Sequence, residues 1–150
     1  MHIRPLTKGD YDYIVTVIDD WSGGLSRNLA HPLFFHEVGE MNRVVDEGGK
    51  VLGFMFGFLT PKTPPIGYVH LVGVHPDGRR RGAGRMLYSW FEAAARTRGC
   101  ASVKAITTLG NEASLLFHRA IGWDANEVPD YAGPGRPRIV LTKSLTLEAG

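Results

Sequence analysis

Arginines and two closely spaced glycines stand where an apolar run passes into an amphipathic one, in Val72-Gly73-Val74-His75-Pro76-Asp77-Gly78-Arg79-Arg80-Arg81-Gly82-Ala83-Gly84. A helix opening at this point presents backbone N–H groups without intrahelical partners and the positive end of its macrodipole, and the two together attract anions. Gly82 and Gly84 have no Cβ, so phosphate oxygens can approach the main chain, while Arg79, Arg80, Arg81 and Arg85 offer charge-assisted contacts. The chemistry is that of a pyrophosphate cradle. It is not a Walker A loop, which closes on Gly-Lys-Ser/Thr where this chain has Gly82-Ala83-Gly84. Nor is it a dinucleotide fingerprint, whose third glycine would fall at Leu87.

A second constellation runs from Asn111 to Trp123. At about 100° per residue, Ala113, Leu116, Phe117, Ala120 and Ile121 form an apolar stripe, and Asn111, Ser114 and His118 cluster away from it. Upstream, alternation along a strand puts Tyr68, His70, Val72 and Val74 on one face. Tyr68 or His70 is suited to passing a proton through water, and His70 is the closer match in pKa; the competing reading of His70 is a buried, hydrogen-bonded structural histidine.

These residues need elements to hold them. Residues 2 to 6 read as a strand, and Thr7-Lys8-Gly9-Asp10 as a capping box opening a helix with Tyr11, Ile14, Val17, Ile18 and Trp21 at helical spacing. Ser22-Gly23-Gly24 ends that helix, and a second helical segment is expected over 29–38, with Pro32 near its first turn. Strands over 43–46 and 51–60 flank the hairpin Glu47-Gly48-Gly49-Lys50. The Pro61–Pro65 turn leads to a strand over 66–74. A helix over 84–98 carries Leu87, Trp90, Phe91 and Ala94 on one stripe and stops at Gly99. A strand over 102–108, a helix over 111–121, an ordered Pro/Gly loop over 129–137 and a closing strand over 138–145 complete the chain.

At 150 residues the chain suits one domain over 1–150, without repeats or a metal-ligand spacing. A net charge of +2 is too small to argue for nucleic acid when a phosphate ligand already accounts for the basic cluster at 79–85. No run reaches the ~20 apolar residues of a membrane span, and the first residues carry no signal-peptide core. The lone Cys100 excludes an internal disulfide and fits a small buried hydrophobe in a reducing compartment. A cytoplasmic protein without nucleic-acid or membrane partners is therefore expected.

Arg79, Gly82 and Gly84, behind Val74-His75-Pro76, match Arg/Gln-x-x-Gly-x-Gly/Ala after a strand, a pattern that resembles the signature of the GCN5-related N-acetyltransferases, the GNAT superfamily. The helix from Asn111 to Trp123 resembles a second motif of that family. The resemblance covers nearly the whole chain. It implies an α+β, three-layer sandwich with helices on both faces of a central, mixed and mostly antiparallel sheet, in which strand 66–74 lies centrally. It further implies acetyl-coenzyme A as acetyl donor and coenzyme A as product. Contacts to coenzyme A are implied for Val72, Gly73, Val74, Arg79, Arg80, Arg81, Gly82, Ala83, Gly84, Arg85, Asn111, Ser114, Phe117 and His118. A backbone N–H near Val74 would face the developing oxyanion.

The chain departs from the family at two catalytic positions. His118 stands where a tyrosine usually protonates the departing thiolate; it would act as that acid, or only hydrogen-bond coenzyme A or a neighbouring strand. The glutamate common on strand 66–74 is missing, which leaves His70 and Tyr68 as candidate proton carriers. Family likeness builds the acceptor pocket from the loop between the first two helices and from the last strands, where Asp19, Asp20, Trp21, Asp130 and Tyr131 would suit a small cationic amine or a peptide or protein amine. The implied activity is acetyl transfer to a primary amine by direct attack in a ternary complex, in a family where homodimers are common. The alternatives are a catalytically degenerate acyl-coenzyme A-binding regulatory module and, from the arginines alone, a nucleic-acid-binding domain.

Overall fold

The computed structural model describes residues 1–22 and 26–145. Strand β1 (His2–Pro5) leads into a capping box: the Asp10 amide donates to Thr7 Oγ1 at 3.2 Å, and the Thr7 amide donates to Asp10 Oδ2 at 2.7 Å. Helix α1 (Lys8–Ser22) follows and buries Tyr11, Ile14, Ile18 and Trp21. Gly23 and Gly24, read as its stop, lie outside the described residues. The helix expected over 29–38 is cut down to a 3-10 turn at Arg27–Leu29 and the short α2 (Leu33–His36). The reason is Pro32, which disfavours helical backbone at His31 and so separates the two.

β2 (Arg43–Glu47) and β3 (Lys50–Leu59) form a tight hairpin whose turn residues, Gly48 and Gly49, have φ of 61° and 89°. Such a two-residue turn needs positive φ at both positions. β4 (Ile66–Val74), α3 (Ala83–Thr97), β5 (Ser102–Thr107), α4 (Glu112–Ala120), β6 (Asp124–Val128) and β7 (Arg138–Ser144) complete the fold. β6 is an addition to the expected elements. Its sequence, Asp124-Ala125-Asn126-Glu127-Val128, is polar because it forms an edge, and it shows no strand pattern.

The sheet has seven strands in the order β1-β2-β3-β4-β5-β7-β6, with β4 at its middle. Neighbouring strands pair antiparallel throughout, except β4 with β5. One face packs on α1 through Ile14, Ile18, Trp21, Val44, Phe54 and Phe56. The opposite face packs on α3 through Leu87, Phe91, Ala95, Met55, Val69 and Val103. The architecture is the expected α+β sandwich, with β4 central. Among the described residues no helix is long and apolar enough to cross a membrane.

Two irregularities shape β4. First, β3 pairs with β4 along its length, but the register slips so that Phe56 faces Leu71 and Gly57 faces Val69, leaving His70 as an extra residue. This bulge corrects the expectation that Tyr68, His70, Val72 and Val74 share a face. Val72 and Val74 pack against the α3-side core, while His70 stacks on Phe34 of α2 with ring centres 3.9 Å apart, and Tyr68 lies beside Phe58 on that same α2 side. Second, β4 pairs with β5 only from Ile66–Ser102 to Val69–Ala105. Beyond Val69 the two parallel strands diverge, and one edge of residues 70–74 has no strand partner among the described residues.

Candidate active site

The divergence of β4 from β5 opens a cleft of about 680 Å³. Val72, Val74 and Gly84 line it near the start of α3; Ser114, Phe117 and His118 line it from α4; Leu29, His70 and Ile106 line it from the opposite side of the sheet. The cleft thus reaches both faces of the sheet at the split.

At its α3 end the cleft meets the loop that leads from β4 into α3. His75 Nδ1 accepts from the Asp77 amide at 2.9 Å, and the Gly78 amide donates to His75 O at 2.8 Å, which winds Pro76–Gly78 into a 3-10 turn. Arg80 and Gly82 then take positive φ, 63° and 89°. The first bond of α3 runs from the Met86 amide to Gly82 O at 2.9 Å, so the amides of Ala83, Gly84 and Arg85 precede the ladder and are free to bind an anion. A Cβ on Gly82 would meet nothing within 4 Å, while one on Gly84 would sit 3.5 Å from the Phe117 ring. Those amides, that open space and the unpaired edge of β4 fit a pyrophosphate followed by an extended arm.

The arginines divide. Arg79 donates to the carbonyl of Trp21, and Arg81 Nη2 pairs with Glu47 at 2.7 Å; both are committed to holding the loop. Arg80 and Arg85 are exposed and form no ion pair among the described residues, so they are the ones available to a ligand. Ala83 is buried and offers only its backbone. Gly73 has a packing reason of its own, since a Cβ there would lie 2.3 Å from the Phe54 ring on the adjacent strand.

Helix α4 is turned differently from the expected stripe. His118 is its only buried residue, at 5% exposure; Leu116 is 66% exposed, Ala120 also faces out, Ala113 opens onto the cleft, and of the expected stripe Phe117 and Ile121 pack on the core. The inward face is tolerated because both imidazole nitrogens are satisfied. Nδ1–H donates to Ser114 O at 2.7 Å, and Nε2 accepts from Tyr88 Oη at 2.8 Å. Burial holds the His118 pKa below the ordinary histidine value despite the Ser114 carbonyl, so the neutral ring is the resting form. Burial likewise keeps the Tyr88 phenol protonated. Sequence reasoning misses Tyr88; the signal for it is its position one helical turn after Gly84, on the same face of α3. Asn111 caps α4, accepting from the Ser114 amide at 3.2 Å, and donates to Thr107 Oγ1 at 3.1 Å, which ties α4 to the end of β5.

On the other side of the split, His70 Nε2 lies 2.6 Å from Leu29 O. That carbonyl can only accept, so Nε2 carries the proton and Nδ1 the lone pair. Burial lowers the His70 pKa and outweighs the opposing bond to Leu29. Tyr68 is raised by burial and then by nearby Tyr131.

Two of the three acidic candidates serve as turn anchors. Asp19 Oδ1 accepts from the amides of Ser26 and Arg27, both at 2.8 Å, and Asp130 Oδ1 accepts from Gly135 at 2.6 Å. Asp20 is exposed, and Trp21 is buried in the α1-side core against Phe54 and His75. Tyr131 is 44% exposed. The cleft lining holds no carboxylate among the described residues.

A model of the acetyltransferase (GNAT) family matches residues 7–123. The chain is 26% identical over 103 residues to an L-2,4-diaminobutyric acid acetyltransferase of Nocardia farcinica, covering 61% of this chain and 53% of that protein. It is 30% identical over 93 residues to a mycothiol acetyltransferase of Pseudarthrobacter chlorophenolicus, covering 60% and 29%. The matched stretch thus spans about half of one curated relative and less of the other. An aminoglycoside 6'-N-acetyltransferase crystallised with coenzyme A superposes over 100% of both chains with a TM-score of 0.78 at 15% identity, a likeness of fold.

Proposed function

The chain belongs to the GNAT acetyltransferase family, and on that premise we propose that it moves the acetyl group of acetyl-coenzyme A to a primary amine by direct attack in a ternary complex. The observation that carries the reading is the split between β4 and β5, where one cleft is lined by residues from both faces of the sheet. The donor's pyrophosphate would sit on the amides of Ala83, Gly84 and Arg85 with Arg80 and Arg85 beside it, and its arm along residues 72–74. The bound thioester supplies the acetyl group and leaves as a thiolate.

The chain's own residues then handle protons. His70, neutral with its Nδ1 lone pair free, is the proposed base for the incoming amine, directly or through water. His118 is the proposed relay for the thiolate's proton by way of Tyr88: as the Tyr88 phenol gives its proton to sulfur, the neutral ring must take up a proton from solvent at Nε2 and return it to the phenolate. Cys100 is buried, with its thiol pKa raised by that burial, and it does not line the cleft. It is thereby unsuited to carrying an acyl group.

A screen of amines for thiol release from acetyl-coenzyme A tests the activity. Ping-pong initial-rate kinetics or an acetylated enzyme would overturn direct attack. A His70→Gln variant that keeps the wild-type acidic limb of its pH–rate profile would exclude His70 as base. If His118→Ala and His118→Phe both stay within a few-fold of wild-type kcat, the acid role is wrong. Because both nitrogens of His118 already have protein partners, a second reading is a module that binds acyl-coenzyme A without turnover. It predicts tight coenzyme A binding and no thiol release with any amine.

A further inference from the structure

On the α2 side of the sheet, three hydrogen-bond donors have no acceptor of their own among the described residues. Register places Tyr68 of β4 directly beside Lys104 of β5. The 129–137 loop between β6 and β7 brings Tyr131 to the same place, with Lys104 Nζ 5.9 Å from its ring centre. Lys104 and Tyr68 are half-buried, yet among the described residues Lys104 has no carboxylate partner and neither phenol has a hydrogen bond. None of these donor atoms is buried without a partner, so all three reach solvent, and an acceptor from outside the chain can meet a cation and two phenols at one place. Of the acids expected to recognise a cationic acceptor, Asp19 and Asp130 are occupied by backbone amides, and the exposed Asp20 does not line the cleft.

His70 lies two residues along β4 from Tyr68, with its ring on the same side of the sheet. Two extended residues span at most about 7 Å. The backbone positions of the proposed base and of Tyr68 are therefore within about 7 Å of each other, roughly the length of a dipeptide. We propose that Lys104, Tyr68 and Tyr131 form a subsite for a carboxylate on the acceptor, set about a dipeptide's length from the amine that is acetylated. The inference rests on the transferase reading of the cleft and deepens it: the acceptor class is a primary amine with a distant carboxylate, not a polycation.

The test is calorimetric titration of the coenzyme A-loaded protein with glycylglycine, its C-terminal amide and putrescine, alongside thiol release from acetyl-coenzyme A with the same amines. Glycylglycine should bind roughly tenfold or more tightly than its amide, as expected for a charge-assisted contact. Lys104→Met should erase that preference. Lys104→Glu should make putrescine the tightest of the three, a gain that a misfolded variant cannot show. Equal affinity of acid and amide, undetectable binding of the acid, or a preference that survives in Lys104→Met overturns the subsite. A carboxylate preference without thiol release from any of the amines supports the subsite while overturning the transferase reading beneath it.

Discussion

At the scale of residues, the pair Tyr88–His118 concentrates the site's demands. His118 is enclosed by the Tyr88, Phe117 and Trp123 rings, and its Nε2 depends on one phenol for its hydrogen bond. Tyr88→Phe leaves that nitrogen buried without a donor and should destabilise the protein by about 1–3 kcal/mol in denaturant titration. With His118→Phe the two changes should be non-additive, because each removes the same bond. The sequence alone marks His118 as a departure from its family's pattern, since position within a helix motif is a local property. Tyr88 is legible only in part: its place one turn after Gly84 can be read from α3, but its bond to His118 depends on α4 arriving beside α3, which no spacing within α3 encodes. Asp19 and Asp130 mislead for a related reason, as an acid near a turn looks the same whether it faces a ligand or caps backbone amides.

At the scale of elements, glycines in β3 set how closely α3 can approach the sheet. A Cβ at Gly57 would lie 2.5 Å from the Phe91 ring and 3.0 Å from Tyr68 O, whereas one at Gly53 would meet its nearest atoms at 3.4 Å. Gly57→Ala should therefore cost about 1–3 kcal/mol through overpacking, and Gly53→Ala much less, as read from paired thermal melts. Gly78 joins the strand to the cradle in the same manner, since a Cβ there would lie 2.7 Å from Leu52 O. Gly78→Ala should weaken coenzyme A binding in titration calorimetry by displacing the backbone before α3. Most elements are readable from periodicity and turn chemistry. The bulge at His70 is not, because it is a property of the register with β3, and a single extra residue is enough to move Val72 and Val74 to the face opposite Tyr68 and His70.

At the scale of the molecule, burial of His70 and His118 couples the fold to pH. Both have pKa values pushed below the usual ~6.5 by burial, so the unfolded chain binds protons that the folded chain refuses. Stability should be complete above about pH 6.5 and decline as the pH falls toward the lowered folded values. Melts between neutral and mildly acid pH should show this fall, with a smaller slope in His118→Gln. Asp10 acts lower on the scale: burial pushes its pKa up, but hydrogen bonds from Arg4 and Thr7 prevail and lower it, so its contribution is lost only once carboxylates protonate. The layered plan around β4 is legible because the order of strands and helices resembles that of the family, which supplies the topology, whereas the place of the split depends on where a parallel ladder stops. That stopping point gives β4 two characters in one strand, interior at Ile66–Val69 and rim at 70–74. In the unliganded protein some amide protons of this stretch should therefore exchange with deuterium at rates typical of a sheet margin, despite lying at the centre of the fold. Saturation with coenzyme A should slow them together, as though a further strand had been laid in place.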